Sequence, residues 1–588
     1  MESICKNKEK ALTGYPSIDK PWLKYYSEEA RNAKVPECSM YDFLYGNNCA
    51  NTDDIALEYT GSKVTYGGLF GKIEEVARAF WAWGIRKGDI VAICAVNIPE
   101  VIYSIYALNR IGAIINLIDP RSNTESIKSY IQECDAKTVV TIDIAYPAAK
   151  QAAREEGIDR VIVMSAAYSM PQIKKALCTL KKIKICSEDF GWKKFVSQDE
   201  GAEPIYADYE KNRCVILAHT GGTTGTPKTV MLSNDCINAV AAGYRYLDVP
   251  FERRQKYFND LPPFIIYGLA VGTHVALCYG LHVIVYPIFD SKGFPKLMKK
   301  YKPNHFSALP DHLKYVMEST YTKNMDLSFL ISPGVGGDKL NEELEREVNK
   351  FLKEHNCRYE VCKGYGMTEL SATAINSSQS ANRIGSVGIP LIFNSVKIMN
   401  IDDGCERGYD ETGEIWISGP SIFLGYWENE EETKKIIVVE KDGTKWIKTG
   451  DIGRISKDGL LFHEGRIRRI YLTVFDGQPA KIFPTMVEDV IKSSPLVYDC
   501  AVVARHMKNS EYYEPVAYVI LKNPDLGEVT TEKLRKICRD KLPSYMQPVD
   551  YYFVDEFPHT PIGKVDHKKL EAMKENTDEL IYLEEGKQ

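Results

Sequence analysis

The sequence lacks the charge, cysteine and repeat patterns that mark several large classes of protein. Its 80 acidic and 74 basic residues leave a net charge of −6, so there is no basic excess that would predict binding to nucleic acid. The 15 cysteines are scattered, and the closest pair, Cys357 and Cys362, lacks the spacing of zinc ligands. We find no repeat with a period of about 20–50 residues. Free thiols in a reducing, cytoplasmic location are therefore expected.

Long hydrophobic runs are also scarce. The first ten residues have no apolar core of a signal peptide. Residues 261–289 contain no charged side chain and could span a bilayer by length alone. Prolines and glycines interrupt this stretch at six positions, namely Pro262, Pro263, Gly268, Gly272, Gly280 and Pro287. The pattern favours a buried helix that ends near Gly280 and a buried strand at 282–286, with no transmembrane segment.

Segments with the periodicity of helices alternate with segments typical of strands along the 588-residue sequence. A helix at 73–80 ends near Gly84 and is followed by a strand at 90–93, and apolar runs at 138–142 and 160–164 are typical of buried parallel strands. We predict an α/β fold in which a large composite N-terminal body, residues 1–467, has mixed and parallel β-sheets flanked by helices. Shorter elements after Gly465 predict a small α+β C-terminal domain at 468–588.

The strongest local signal is a glycine- and threonine-rich loop after the apolar strand 214–218. Glycines let the backbone approach an anion closely, while hydroxyls and an ammonium group add hydrogen-bond donors and positive charge. The loop lacks the Gly-Lys-Ser/Thr ending of a Walker A motif. The candidate phosphate-binding residues are Thr220, Gly221, Gly222, Thr223, Thr224, Gly225 and Lys228.

This loop resembles the signature of the adenylate-forming superfamily, which includes acyl-CoA synthetases, firefly luciferase and the adenylation domains of peptide synthetases. Similar motifs follow in the family's order over residues 65–568. They are 364–369 (GYGMTE), 385–390 (GSVGIP), 448–451 (KTGD), 465–466 (GR) and 561–566 (PIGKVD). The resemblance implies an enzyme that joins a small carboxylic acid to AMP, with loss of pyrophosphate from ATP, and then passes the acyl group to a thiol.

The resemblance also implies roles for individual residues. Lys564 would be the catalytic cation that bridges the carboxylate and the α-phosphate, and Thr368 would hydrogen-bond that phosphate. Glu369 would be the metal ligand for Mg²⁺, which prefers oxygen donors. These motifs predict ATP and acyl sites in the large body and the catalytic lysine in the small domain.

Three further residues are expected at the nucleotide. Asp451 can accept hydrogens from two ribose hydroxyls, Arg466 can pair with ribose or phosphate oxygens, and Tyr365 offers a flat face to adenine. Gly334 and Gly336 would let the backbone approach the nucleotide and the acyl group.

The resemblance implies that the small domain is mobile and rotates about a hinge at Arg468. The sequence after the hinge departs from the family pattern, because 471–484 is a few residues longer than usual and Leu472 and Met486 replace a usual lysine and glutamate. Because this region helps to form the thiol channel in the family, these departures bear on which thiol accepts the acyl group. We expect CoA, with the phosphopantetheine of a carrier protein as the alternative.

The uncharged stretch, residues 261–289, resembles at its start the acyl-binding segment of acyl-CoA synthetases. It gives three substrate-binding candidates, Phe264, Ile265 and Tyr267. No aspartate is present there to pair with an α-ammonium group, which would be costly to bury alone. An apolar acid, fatty or aryl, is therefore favoured. A third hypothesis is that the protein is a non-catalytic homologue that only binds a nucleotide. This hypothesis is disfavoured because Lys564, Glu369 and Asp451 are all present.

Overall fold

The computed structural model describes residues 12–178, 184–198, 201–220, 228–476, 478–507, 510, 512–523, 527–559 and 565–573. Within these ranges the large body is built on two sheets, and two smaller sheets follow Arg469. No helix in the described part of the chain has the length and apolar content needed to cross a membrane.

The first sheet has eight strands in the described part of the chain and a parallel centre. Its strand at Thr138–Ile142 is buried at every position, which explains the unbroken β-branched run TVVTI in the sequence. Antiparallel pairing occurs only at one end, where Lys228–Ser233 joins its neighbours on both sides. The spatial order is Gly425–Tyr426, Lys228–Ser233, Cys214–Thr220, Ile114–Ile118, Ile90–Cys94, Thr138–Ile142, Val161–Met164 and Phe190–Gly191.

The second sheet has 14 strands among the described residues and is part parallel and part antiparallel. Its parallel part runs from Cys362–Tyr365 to Ile55–Tyr59, and antiparallel strands extend it at both ends. Ile437–Val439 pairs beside the main path with Lys445–Ile455. The order is Ser395–Met399, Gly413–Ser418, Lys445–Ile455, Leu461–Arg466, Ser386–Pro390, Ile375–Asn376, Cys362–Tyr365, Ser332–Val335, His305–Ala308, Lys256–Asn259, His282–Val285, Ile55–Tyr59 and Ser62–Thr65.

The helix predicted at 73–80 is longer in the structure, where it begins at Tyr66, and its predicted end near Gly84 is confirmed. Tyr66–Trp83 starts after Thr65, whose hydroxyl accepts a hydrogen bond from the Gly68 amide, and it ends at Gly84 with a φ of 107° that favours glycine. The α-helices of the body are Pro16–Asp19, Glu28–Arg31, Met40–Asn48, Tyr66–Trp83, Pro99–Ile111, Thr124–Glu133, Tyr146–Glu155, Gln172–Cys178, Trp192–Val196, Asn234–Tyr244, Ala276–Cys278, Phe294–Tyr301, Pro310–Glu318, Glu342–Glu354 and Glu430–Ile436. Short 3₁₀ turns occupy Pro21–Tyr25, Asp143–Ala145, Thr368–Leu370 and Ile467–Arg469.

The uncharged stretch forms a π-helix, Tyr267–Val275, which continues into Ala276–Cys278 and the strand His282–Val285. The Asn259 side-chain amide donates hydrogen bonds to the Gly268 carbonyl and the Thr273 hydroxyl, both at 3.1 Å. A Cβ on Gly272 would lie 2.5 Å from the Asn259 side chain, so this glycine is needed for the close approach. The predicted buried helix and strand are confirmed, although the π form was not foreseen.

The C-terminal part has its own sheets and cores. Tyr471–Phe475 pairs with Gln478–Ile482, and Tyr513–Leu521 lies between Val497–His506 and Asp550–Phe553. The α-helices Pro484–Lys492, Gly527–Lys541 and His567–Ala572 accompany them, with a 3₁₀ turn at Ser544–Met546. Val502 and Val519 belong to one of two hydrophobic clusters that contain only residues of this part. The predicted combination of a large α/β body and a small α+β unit is confirmed, while the exact boundary at 467/468 stays a prediction.

Candidate functional site

Two parts of the predicted site lie outside the described residues. They are the centre of the phosphate loop, with Gly221, Gly222, Thr223, Thr224 and Gly225, and the catalytic candidate Lys564. Their roles stay predictions. The flanks of the loop are described, because Thr220 ends one strand and Lys228 begins the next as its antiparallel partner. The phosphate loop therefore connects the second and third strands of the first sheet, next to the edge strand Gly425–Tyr426.

Lys228 forms an ion pair with a helix that begins with three glutamates. Its ammonium group forms an ion pair with Glu432 on Glu430–Ile436 and lies 4.9 Å from the centre of the Tyr426 ring. The hydrogen bond with Lys228, together with one from Lys435, lowers the pKa of Glu432 to about 2. Lys228 thus already has a carboxylate partner.

Glu369 lies beside this pair and is almost fully buried, with 7% of its surface exposed. The Tyr426 hydroxyl donates a 2.8 Å hydrogen bond to Glu369 Oε1. Burial raises the pKa of Glu369 above its ordinary value, and the Tyr426 hydrogen bond offsets only part of that effect. Thr368 begins the 3₁₀ turn that carries Glu369. Tyr426 pairs with Val230, so one tyrosine connects this turn to the strand that follows the phosphate loop.

The predicted ribose and adenine residues lie together on the second sheet. The Tyr365 hydroxyl donates a 2.7 Å hydrogen bond to Asp451 Oδ2, and Arg466 Nε lies 3.0 Å from Oδ1. His463 joins them, with its ring centre 5.6 Å from that of Tyr365. Asp451 and Arg466 are direct neighbours on two antiparallel strands. The sheet register therefore brings together three residues that are up to 101 positions apart in the sequence.

Asp451 is buried and charged. Burial alone would raise its pKa, but the charge of Arg466 and the contacts with His463 and Tyr365 hold the pKa of Asp451 below its ordinary value. Within the described chain no group donates a well-aligned hydrogen bond to Oδ1, although this oxygen is buried. An acceptor of this kind suits the hydroxyl of a sugar.

The substrate-binding candidates separate into two groups. Tyr267 and Gly334 line one small cavity, and a Cβ on Gly336 would lie 3.4 Å from the Tyr267 ring. Phe264 and Ile265 do not line it; the Phe264 ring instead lies 5.7 Å from the Arg121 guanidinium. The stretch turns back on itself here, because the Ile265 amide donates to Pro262 and the Gly268 amide to Ile265.

The hinge candidate Arg468 lies in the turn Ile467–Arg469. Burial raises the pKa of Tyr426, and the charge of Arg468 offsets part of that rise. The neighbouring Arg469 is fixed to the small domain by a 2.5 Å hydrogen bond to Glu488. Burial would raise the pKa of Glu488, but Arg469 and other donors hold it well below its ordinary value.

Several residues of the site escaped the sequence analysis. Tyr426, Glu432 and His463 contact predicted site residues, and Tyr244 and Tyr257 line the cavity with Tyr267. No motif marked them, since each is brought in by long-range packing. The aromatic pair Tyr426-Trp427 after Gly425 was the one local signal that pointed to a close-packed strand.

Comparison with known proteins assigns the fold and the family. The structure superimposes on the anthranilate CoA ligase AuaEII, in complex with anthranoyl-AMP, with a TM-score of 0.78 at 19% identity, covering 93% of this chain and 99% of that one. ATP-bound MatB from Rhodopseudomonas palustris gives 0.77 at 21% identity, covering 91% and 99%. At these identities the likeness establishes a shared fold.

Sequence relatives extend over nearly the whole chain. A long-chain-fatty-acid–CoA ligase of Bacillus subtilis (strain 168) is 26% identical over 565 residues, covering 94% of this chain and 97% of its own. A probable 4-coumarate–CoA ligase 1 of Dictyostelium discoideum is 25% identical over 556 residues, covering 93% and 97%. The family model for the AMP-binding enzyme matches residues 47–427, and that for the AMP-binding enzyme C-terminal domain matches 486–564. The protein therefore belongs to the AMP-binding enzyme family, as its motifs predicted.

Proposed function

We propose that the protein is an AMP-forming acid–thiol ligase that activates an apolar carboxylic acid as acyl-AMP, releases pyrophosphate and transfers the acyl group to CoA. The observation that carries this proposal is the cluster of Tyr365, Asp451 and Arg466, which brings a phenol ring, a charged carboxylate and a guanidinium group together. In this family member, that cluster suits the ribose and adenine of ATP.

The phosphates would extend from this cluster towards the loop at 220–228. Thr368 and Lys228 provide a hydroxyl and an ammonium group for them, and Arg466 adds a second cation. Two anions must meet in the first step, so these donors and Lys564 would lower the barrier by holding the phosphate and the acid together.

Glu369 is the proposed Mg²⁺ ligand. A carboxylate oxygen is the donor that this ion prefers, and Mg²⁺ in nucleotide sites takes most of its other ligands from phosphates and water. Glu369 belongs to no cluster of three or more metal-ligating side chains among the described residues, which fits such a substrate-completed site. When bound, the ion would neutralise phosphate charge.

For the second step we propose that the small domain rotates about Arg468 and brings the thiol to the acyl-AMP. CoA is the preferred acceptor, because relatives over almost the full chain are described as CoA ligases. We propose a cytoplasmic location on the scattered cysteines of the sequence alone.

A carrier-protein phosphopantetheine is the second candidate acceptor. One observation favours it, namely the exposed apolar side chains on the hairpin after the hinge. Leu472 is 50% and Phe475 42% exposed, and the Phe475 ring packs 5.3 Å from that of Tyr545. Such a surface would suit a protein that delivers the thiol better than it suits free CoA.

A mass-spectrometric screen tests the proposal. The protein is incubated with ATP, Mg²⁺ and a mixed pool of acids, with free CoA or with a phosphopantetheinylated carrier protein. We expect one acyl-adenylate and the matching acyl-CoA. Acyl transfer to the carrier protein alone would select the second acceptor, and absence of any acyl-adenylate would favour a non-catalytic homologue.

A further inference from the structure

Two consecutive residues after the turn that carries Glu369 have a left-handed backbone. The φ angle is 56° at Ser371 and 92° at Ala372, and neither residue is glycine. In L-residues the left-handed conformation occurs at single positions, because it brings the Cβ atom close to the following carbonyl oxygen. The angle at Ala372 also lies outside the small left-handed region that such residues tolerate. This pair is therefore strained.

The burial and the position of the pair distinguish it from a left-handed residue at an ordinary helix end. Lys302 is exposed and ends the helix Phe294–Tyr301, where a left-handed residue is a common cap. Ser371 ends the 3₁₀ turn Thr368–Leu370 in a similar way but is fully buried, and Ala372 follows it beyond the end of the turn. The surrounding structure must therefore impose the conformation of Ala372.

Close backbone contacts impose it from one side. A Cβ on Gly366 would lie 1.9 Å from the Ala372 carbonyl oxygen, so the chain folds back directly onto itself. The Ser371 amide donates a 3.0 Å hydrogen bond to the Thr368 carbonyl, and the Ala372 amide donates a 3.2 Å hydrogen bond to the Met367 carbonyl. These bonds close the turn, and they require the left-handed path at 371–372.

The turn is also fastened to the segment that leads into Tyr426. The Ser371 hydroxyl donates a 2.9 Å hydrogen bond to the Ser421 carbonyl, and the Phe423 amide donates one of the same length to the Glu369 carbonyl. Tyr426 itself donates to the Glu369 carboxylate. One segment therefore holds the backbone of the turn, through Ser371 and Glu369, as well as the carboxylate that the turn carries.

The position of Glu369 thus depends on the strained pair. A change of Ala372 to an ordinary negative φ would redirect the chain and break the bonds that close the turn. Alanine has few other conformations that keep these bonds, and its methyl group packs against the main hydrophobic core. Glycine would adopt the observed φ without strain, but it would also give the turn more freedom. Alanine at this position therefore lowers stability and restricts the turn at the same time.

We propose that Ser371 and Ala372 are positioning residues, whose strained backbone holds the carboxylate of Glu369 ready for Mg²⁺–ATP at the expense of stability. This inference rests on the proposed adenylation and on Glu369 as the proposed Mg²⁺ ligand. It adds two residues that act through Glu369. Strain of this kind persists only where the surrounding contacts over-determine the backbone, as they do here.

The variant Ala372→Gly tests both parts of the proposal. Urea denaturation should show a more stable protein, because glycine relieves the strain. Calorimetry in the absence of any acid should show a Kd for Mg²⁺–ATP that is about two- to fivefold higher, because binding must now order a looser turn. Adenosine has no phosphate to meet Glu369 or its ion, so its Kd should stay unchanged.

Two further variants separate positioning from stability. Lys302→Gly is the matched control, because it relieves a left-handed backbone with a φ of 46° at an exposed helix end. It should also stabilise the protein but leave the Kd for Mg²⁺–ATP unchanged. Ser371→Ala removes the hydroxyl bond to the Ser421 carbonyl and should raise this Kd while lowering stability. A higher Kd in both 371 and 372 variants, with opposite changes in stability, cannot result from folding alone.

Three results for Ala372→Gly would overturn this inference: an unchanged Kd for Mg²⁺–ATP, an equal loss of affinity for adenosine, or a loss of stability. Each of them leaves the proposed function standing, because the native protein would still form acyl-AMP. Absence of acyl-AMP from the native protein with every acid would refute the adenylation itself, and the inference with it. The two failures are therefore distinguishable.

Discussion

The hydroxyl of Tyr426 donates a 2.8 Å hydrogen bond to the buried carboxylate of Glu369. The ring of the same tyrosine lies beneath the ammonium group of Lys228. One side chain therefore fixes the positions of the proposed metal ligand and of the cation that follows the phosphate loop. This arrangement couples the antiparallel end of the first sheet to the turn that carries Glu369.

Replacement of Tyr426 by Phe tests that coupling. The variant keeps the ring near Lys228 but removes the donor to Glu369, so we expect the KM for Mg²⁺–ATP to rise about tenfold or more, as for a lost hydrogen bond to a charged group. The measurement is ATP dependence of pyrophosphate exchange. Tyr409→Phe removes a comparable hydroxyl that donates to Asp19 and should leave the KM unchanged. An unchanged KM for Tyr426→Phe would show that the bond does not position Glu369.

The ion pair between Glu432 and Lys228 predicts competition with ATP. Because Glu432 holds the cation that the phosphates would use, Glu432→Gln should lower the KM for ATP, by about two- to fivefold for a partly exposed pair. Glu430→Gln is the matched control, since it breaks only the exposed ion pair with Lys434 on the same helix. A higher KM in Glu432→Gln would mean that Glu432 orients Lys228 instead of competing for it.

Asp499 joins the two parts of the chain. Its carboxylate lies 2.7 Å from Lys492 on its own side and 3.2 Å from Lys314 on the large body. We expect Asp499→Asn to lower the free energy of unfolding by about 2 kcal/mol at pH 7, measured by urea denaturation, because the ammonium group of Lys492 loses its paired carboxylate and that of Lys314 keeps only the half-exposed Asp311. Glu532→Gln, which breaks an exposed pair with Arg539, should change it by less than about 0.5 kcal/mol.

The same carboxylate predicts a pH dependence. Burial would raise the pKa of Asp499, but Lys492 and Lys314 lower it more, so the folded-state pKa lies below its ordinary value. A depressed carboxyl pKa contributes stability above the ordinary pKa, and this contribution is lost as the pH falls through the folded-state value. The difference between the native protein and Asp499→Asn should therefore be full at pH 7 and shrink below about pH 4. A difference that grows in acid would contradict the assignment.

Lys564 is expected to act in the first half-reaction, the formation of acyl-AMP, and not in the transfer to the thiol. Lys564→Ala should abolish formation of acyl-AMP and largely spare transfer from preformed acyl-AMP to the thiol, because the cation is needed where carboxylate and phosphate meet. Both steps are followed with purified acyl-AMP and with ATP plus acid. Equal loss of both would show that the proposed role of Lys564 is wrong.

Local sequence was sufficient for much of the fold. The run at 138–142 became a strand buried at all five positions, and Gly84 ended its helix in the left-handed conformation. These features depend on neighbouring residues and on backbone geometry alone. The π form of Tyr267–Val275 was not predictable, because it depends on the contact of Asn259 with Gly268 and Thr273.

The site was predictable only where a motif carried it. Tyr365, Asp451 and Arg466 lie in family motifs and meet as expected, whereas Tyr426 reaches Glu369 across 57 residues through an added strand. Phe264 and Ile265 lie in a matching segment but do not line the cavity. The contact of Tyr426 with Glu369 and the position of Phe264 and Ile265 away from the cavity depend on tertiary packing, which no single segment of the sequence encodes.

The exchange of labelled pyrophosphate into ATP tests the central claim most directly. With the native protein, Mg²⁺ and an apolar carboxylic acid, the account predicts exchange that depends on the acid and needs no CoA. Addition of CoA should then convert the acid to its thioester with one AMP released for each. Exchange that is absent with every acid, or that proceeds equally without any acid, would contradict the assignment of this protein as an acid-activating ligase.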